Sequence, residues 1–267
     1  MGSGRENEPS RRRPIPPEEV RRLAVIPARL DSTRLPRKAL LRETGRYLFE
    51  HVAERASRAR SLDAVVLATD AEEIVRAARS VGVEARLTSP AHPSGTDRVG
   101  EVAQAYPGAR VVVNVQGDEP EVEPGDLDRL VEALEASGAD AATLATPFRD
   151  GEDPGLPDAV KVVRAADGRA LYFSRAPVPF LRGRGERLRH VGIYAFRREA
   201  LEAFLALPPS PLEEAEGLEQ LRWLEAGRRI EVVLTDSPAR GIDTREDYDR
   251  FLARQRTGDG TWRSTSS

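Results

Sequence analysis

Val111-Val112-Val113-Asn114-Val115-Gln116-Gly117-Asp118-Glu119-Pro120 is the stretch on which the reading of this chain turns. A β-branched run of this kind fits a parallel strand buried on both faces. It ends in Gly-Asp-Glu-Pro, so a carboxylate follows directly on the strand's C-terminal end. In open α/β sheets that edge is where ligands bind. A single Asp there reads as a loop cap. Two further segments change the reading. One is the cationic stretch Pro27-Ala28-Arg29-Leu30-Asp31-Ser32-Thr33-Arg34-Leu35-Pro36-Arg37-Lys38; the other is Gly241-Ile242-Asp243-Thr244. Each follows an apolar run. Cations suited to phosphates and two acids suited to one metal, all expected at strand ends, point to nucleotidyl transfer.

Outward from this stretch, strand and helix patterns alternate, which favours a mainly parallel sheet covered on both faces. Strands are expected at Leu23–Pro27, Ala64–Ala68 and Val83–Leu87. Helices are expected at Arg46–Arg60, Glu72–Ser80, Asp97–Tyr106 and Gly125–Ser137. Beyond residue 140 the rhythm shifts to strand-like runs, Ala141–Thr146, Ala159–Arg164, Ala170–Phe173 and Val191–Phe196, with less helix between them. A helix over Leu212–Glu225, a strand Ile230–Leu234 and a helix Arg245–Arg254 close the pattern. Residues 1–20, which carry Arg11-Arg12-Arg13, read as a disordered arm, and 257–267 as a loose tail. Residues 21–256 then form one domain.

Composition narrows the class. A chain of 267 residues with 39% hydrophobic content builds a sizeable α/β core. A formal net charge of −3 argues against general affinity for nucleic acid or an anionic membrane. Having no cysteine excludes thiolate catalysis, disulfides and cysteine metal sites, and fits the cytoplasm. No apolar run approaches the roughly 18–20 residues of a membrane span. No G-x-G-x-x-G follows the first strand, and no P-loop, G-x-S-x-G or H-E-x-x-H occurs. Of 41 lysines and arginines, only Lys38 and Lys161 are lysines. A lysine in the first strand-to-helix loop is therefore notable as a point charge for phosphates.

Four segments carry the chemistry. Arg29, Arg34 and Lys38 can surround a triphosphate. In His92-Pro93-Ser94-Gly95-Thr96-Asp97-Arg98, Gly95 allows close backbone approach, and Ser94 and Thr96 can bond a base or ribose. Thr96 or Asp97 serves equally as a helix N-cap. Asp118 and Asp243, from distant strand ends, can converge on one Mg²⁺. His190 and Tyr194 fall on one face of a strand, where they also fit simple packing; Glu219 and Gln220 also fit a solvated helix face.

These motifs resemble the CMP-Kdo synthetases, the 3-deoxy-manno-octulosonate cytidylyltransferases, over about residues 23–254. The resemblance rests on Ile26-Pro27-Ala28-Arg29 with Ser32-Thr33-Arg34-Leu35-Pro36 and Lys38, on Ala68-Thr69-Asp70, and on His92 with Ser94-Gly95-Thr96-Asp97-Arg98. It continues through Val113–Pro120, Ala159-Val160-Lys161-Val162-Val163, Tyr172-Phe173-Ser174-Arg175, Arg189–Tyr194, Leu218-Glu219-Gln220-Leu221-Arg222 and Gly241–Thr244. It implies a Rossmann-like nucleotidyltransferase fold of the glycosyltransferase-A kind, α/β, with an acceptor-binding and dimerisation subregion at about residues 147–210. It implies CTP held by Ala28, Arg29, Arg34, Lys38, Thr69, Asp70, Ser94, Gly95 and Asp118, with Mg²⁺ on Asp118 and Asp243. Arg29, Lys38, Asp118 and Asp243 are the implied catalytic group. The acceptor, a small anionic sugar acid, is implied to meet Arg98, Gln116, Arg175, His190, Tyr194, Glu219 and Gln220. A homodimer is implied, and no nucleic-acid or membrane partner.

Two departures stand out. Pro36-Arg37-Lys38 replaces the usual Pro-Gly-Lys, which removes backbone freedom and adds a cation beside the phosphates. Gly45-Arg46-Tyr47-Leu48-Phe49 replaces the usual Gly-Lys-Pro segment. With the arginine-heavy composition, these keep open a second acceptor class, a small phosphonate activated by CTP. A non-catalytic nucleotide-binding protein is the third reading; Lys38, Asp118 and Asp243 count against it.

Overall fold

The valine run forms a fully buried strand, β4 (Val111–Asn114), between parallel β1 (Arg22–Ala28) and antiparallel β8 (Leu188–Arg197). The computed structural model describes residues 15–32, 34–237 and 241–256; the ends expected to be loose, 1–14 and 257–267, lie outside the described residues. After β1 come a short 3₁₀ turn (Lys38–Leu40), α1 (Leu48–Ser57), β2 (Ala64–Thr69), α2 (Glu72–Ser80), β3 (Ala85–Leu87) and α3 (Gly95–Gln104). After β4 come α4 (Pro124–Ala136), β5 (Ala141–Pro147), β6 (Lys161–Arg164), β7 (Ala170–Ser174) and then β8. The chain continues through α5 (Arg198–Leu205), α6 (Pro211–Glu216), α7 (Gln220–Glu225), β9 (Ile230–Leu234) and α8 (Arg245–Arg256).

The sheet runs β3-β2-β1-β4-β8-β5-β9, with β6 paired to β7 and β8. The β3-β2-β1-β4 half is parallel throughout. The chain steps outward from β1 to β2 and β3, then returns to the other side of β1 as β4. That reversal opens a crevice between the C-terminal ends of β1 and β4, the switch point at which α/β sheets bind ligands.

Alternation along the central strands feeds both faces. Leu23, Val25 and Val112 pack with α3, α5 and Trp223 on one side. Ala24, Ile26, Val111 and Val113 pack with α1 and α4 on the other. Burying each valine or leucine contributes about 1.5–3 kcal/mol, so this double-faced core fixes the positions of the strand ends. A third cluster joins α8 to the first loop through Leu35, Leu48, Ile242, Tyr248 and Phe251. None of the described helices is long and apolar enough to cross a membrane.

Three expectations need correction. The last residues of the stretch expected to be a loose arm are held: the amides of Glu19 and Val20 donate to the Pro16 carbonyl and Val20 is fully buried. The helix expected over Leu212–Glu225 is two helices, broken where Gly217 takes a left-handed conformation at φ 61°. Helical periodicity runs across that glycine, so hydrophobic spacing alone does not show the break. Helix α5 was not anticipated, because the strand pattern before it masks its start.

An L-residue at 217 must adopt that left-handed backbone at a cost of about 1–2 kcal/mol. Gly217→Ala is accordingly expected to lower unfolding stability by that amount, measured by urea denaturation. A variant as stable as the wild type would mean that the turn rearranges freely.

Candidate active site

The cleft at the β1/β4 switch point has a volume of about 430 Å³ and is lined by Ala28, Arg29, Ser32, Arg34, Lys38, Gly95, Gln116, Gly117, Asp118 and Asp243, among others. At its floor the Lys38 ammonium donates to Asp118 Oδ2 at 2.6 Å and to Asp243 Oδ1 at 3.1 Å. An Arg34 Nη2 lies 3.1 Å from the other Asp243 oxygen, Oδ2. Two acids remote in sequence therefore meet at one point, and the cation between them is Lys38, which the sequence reading placed at the phosphates. Burial alone would lower the Lys38 pKa, but the charges and hydrogen bonds of Asp118 and Asp243 reverse this and raise it. The ammonium stays charged.

Backbone geometry holds the three loops together. The Ile242 amide donates to the Asp118 carbonyl at 2.8 Å, tying the loop before α8 to the loop after β4. A Cβ at Gly117 would stand 2.6 Å from the Pro27 carbonyl, so only glycine lets the β4 loop lie against the end of β1. Glu119 is buried, and one carboxyl oxygen has no hydrogen-bond partner. Burial, and next the Asp118 charge, push its pKa up to about 8. At neutral pH it is largely protonated and adds little charge to the Asp118–Asp243 pair.

Arg29 is exposed on the cleft wall and forms no ion pair among the described residues. Arg37 departs from the expectation that it adds a cation beside the phosphates. Its backbone is left-handed, at φ 57°, a conformation that glycine adopts most readily, and its guanidinium turns away to pair with Glu73 on α2. Ser94, expected to help hold the cytidine, is the N-cap of α3. Its hydroxyl accepts from the Asp97 amide at 3.3 Å and donates to the Asp97 carboxylate at 2.6 Å. The cap falls there, and not at Thr96 or Asp97, because the helix starts at Gly95.

Arg98, expected at the acceptor, is fully buried in α3. Its guanidinium donates to Asp70 at 2.6 Å and also reaches Thr88. It fixes the loop after β2, and Asp70 is thereby committed to it. Thr69 is fully buried, and its hydroxyl accepts from the Ala71 amide. Arg175 likewise spends its guanidinium on the chain itself, donating to the carbonyls of Pro157, Glu216 and Gly217.

The remaining acceptor candidates form a polar chain behind the cleft. Gln116 donates to Asn114 at 3.3 Å, Asn114 to Thr96 at 3.5 Å, and Thr96 to Glu219 at 2.5 Å. Burial raises the Glu219 pKa. Gln220 is buried beside it. His190 and Tyr194 do share a face, with ring centroids 5.4 Å apart between Phe173 and Phe196. Tyr194 is buried, with its hydroxyl beside Thr143. His190 meets the Thr143 hydroxyl at 3.0 Å. Asn114 and Asp158 were not singled out from sequence. Asn114 sits inside the valine strand and shows no separate signal. Asp158, in an irregular loop, accepts from Arg34 at 3.2 Å and lies 3.8 Å from Arg175.

A cationic cleft with paired carboxylates at the switch point of such a sheet defines a nucleotidyltransferase. The comparisons narrow this. A family profile described as cytidylyltransferase matches residues 23–230. The 3-deoxy-manno-octulosonate cytidylyltransferase of Anaeromyxobacter dehalogenans strain 2CP-C is 51% identical over 233 residues, covering 86% of this chain and 95% of its own. The enzyme of the same name from Nitratidesulfovibrio vulgaris strain Hildenborough is 48% identical over 244 residues, with 88% and 96% covered. A solved CMP:2-keto-3-deoxy-manno-octonic acid synthetase, complexed with CTP, superposes with a TM-score of 0.85 at 37% identity, covering 89% of this chain and 99% of its own. The 4-diphosphocytidyl-2C-methyl-D-erythritol synthase of Anaerococcus prevotii shares the fold alone, with a TM-score of 0.60 at 17% identity and 88% and 96% covered. This chain belongs to the 3-deoxy-manno-octulosonate cytidylyltransferase family.

Burial among aromatic rings, and next the Arg189 charge, push the His190 pKa down from 6.5 to about 3. A base depressed in this way stabilises the fold fully above 6.5, and that contribution is lost as pH falls towards 3. Urea midpoints of the wild type should therefore fall more steeply between about pH 6.5 and pH 4 than those of His190→Gln. Parallel curves would remove His190 from the acid response.

Proposed function

We propose that this chain transfers CMP from CTP to 3-deoxy-manno-octulosonate, with release of pyrophosphate. The observation that carries the reading is the Lys38 ammonium held between Asp118 and Asp243 in a cleft walled by Arg29 and Arg34. The names of the closely similar relatives and the CTP complex of the structural relative support the same reaction.

Magnesium fits the residues present. Asp118 and Asp243 offer hard oxygens that already converge on a single cation. Among the described residues no group of three or more His, Asp or Glu could hold a metal alone, so substrate and water oxygens would complete the shell. When bound, the ion supplies positive charge at the α-phosphate. The chain does the rest. Arg29 and Arg34 face the cleft where a triphosphate would lie, and Lys38 can pass from the carboxylates to phosphate oxygens. In the proposed reaction the acceptor's anomeric oxygen bonds to the α-phosphorus and the α–β phosphoanhydride bond breaks. The hydroxyl proton is lost, and the electron pair leaves with pyrophosphate. Two anions must approach each other, so fixed cations lower the barrier by screening them.

On the acceptor side, Gln116 at the cleft and Glu219 behind it are held in register by Asn114 and Thr96. The homodimer and the cytoplasmic location belong to the same reading. Exposed Leu171, Phe180 and Leu181 on the 147–210 subregion, and a cysteine-free chain, are consistent with them. The phosphonate alternative draws on Arg37 as an extra phosphate cation. Because Arg37 pairs with Glu73, that alternative has no specific observation in its favour.

Pyrophosphate release should require CTP, magnesium and 3-deoxy-manno-octulosonate together. Asp118→Asn should reduce it by roughly 10²–10³-fold or more while circular dichroism stays unchanged. Turnover with a small phosphonate alone would replace the acceptor. Undiminished turnover in the variant would remove Asp118 from the metal site.

A further inference from the structure

Lys161 is fully buried at the start of β6, beside Ser174 of β7 and Arg189 of β8. No carboxylate ion-pairs with it among the described residues. Its ammonium donates to two backbone carbonyls, that of Leu156 at 3.1 Å and that of Arg175. Burying a charge without a partner carboxylate is costly, and two oriented carbonyls are what offset it here. The two carbonyls belong to segments linked to the cleft residue Arg34 through Asp158, which Arg34 and Arg175 both approach.

From those two segments the contacts spread. Arg175 binds the Pro157 carbonyl at 3.1 Å and the Glu216 carbonyl at 2.7 Å, and its amide donates to the Glu216 carboxylate at 2.9 Å. Glu216 ends the helix whose following turn leads directly to Glu219 and Gln220. The Leu156 segment runs into Asp158, which accepts from Arg34 on the nucleotide side. The Val160 carbonyl, next to Lys161, accepts the His190 amide at 2.8 Å. One buried ammonium thus joins the loop facing Arg34, the strand end carrying Arg175, and through it the turn carrying Glu219.

We infer that Lys161 is a positioning residue for the acceptor, one that sets the register of the Leu156–Asp158 loop against Arg175 and the Glu216–Glu219 turn. It touches no substrate and acts through those segments. This rests on the acceptor reading proposed above. Misplacing binding groups by about 1 Å costs up to roughly 10²-fold in turnover efficiency, so the effect should be large and confined to one substrate.

The chain has no cysteine, so Lys161→Cys introduces a unique thiol. Alkylated in denaturant with 2-bromoethylamine and refolded, it regains an ammonium at nearly the original reach; alkylated with 1-bromopropane, it carries a neutral side chain of the same length. Lys161→Met is the genetic counterpart of the neutral form. Both neutral forms should raise the KM for 3-deoxy-manno-octulosonate about tenfold or more, leave the KM for CTP within about twofold, and be rescued by the aminoethyl adduct. An unchanged acceptor KM would overturn the inference. So would equal rises in both KM values, an aminoethyl adduct no better than the propyl adduct, or neutral forms that fail to fold where the aminoethyl form folds. Absence of wild-type turnover with this acceptor would overturn the acceptor reading first, and the inference with it. Wild-type turnover with an unchanged acceptor KM in the neutral forms would overturn the inference alone.

Discussion

The contact on which the cleft depends is one ammonium shared by two carboxylates. Lys38 reaches Asp118 across 80 residues and Asp243 across 205. Without a cation between them, two carboxylates this close would repel each other strongly in a half-buried setting. The fold is arranged so that they nevertheless meet. The crossover between β1 and β4 brings the first loop beside Asp118, Gly117 permits the backbone approach, and the Ile242 amide locks the α8 approach onto the same point. Glu119, the third acid nearby, stays mostly neutral through burial, so the pair's charge matches what one divalent ion or a few cations can balance.

Much of this was legible in the sequence because it rests on local chemistry. A valine run ending in Gly-Asp reads as a buried strand with a carboxylate at its exit, and Lys38 stands out in a chain almost without lysine. What sequence did not reveal depends on where side chains point. The guanidinium groups of Arg98 and Arg175 make contacts within the protein that their sequence positions do not announce. Ser94 caps α3, which the sequence offered equally to Thr96 or Asp97. The break at Gly217 is hidden because helical spacing continues across it.

Arg37 shows how a departure from a family pattern can be absorbed. The position takes a left-handed backbone at a cost of about 1–2 kcal/mol, and the side chain anchors to Glu73 outside the cleft. From Gln116 at the cleft, a chain of hydrogen bonds runs through Asn114 and Thr96 to Glu219, while His190 stands in a stack of rings.

The central claim is that Lys38 passes from the carboxylate pair to the nucleotide's phosphates. Lysine-selective ¹⁵N NMR addresses it directly, because Lys38 and Lys161 are the only lysines in the chain. Addition of CTP with magnesium should shift the Lys38 ammonium signal and leave that of buried Lys161 in place. A Lys38 signal unmoved at saturating CTP would contradict the account.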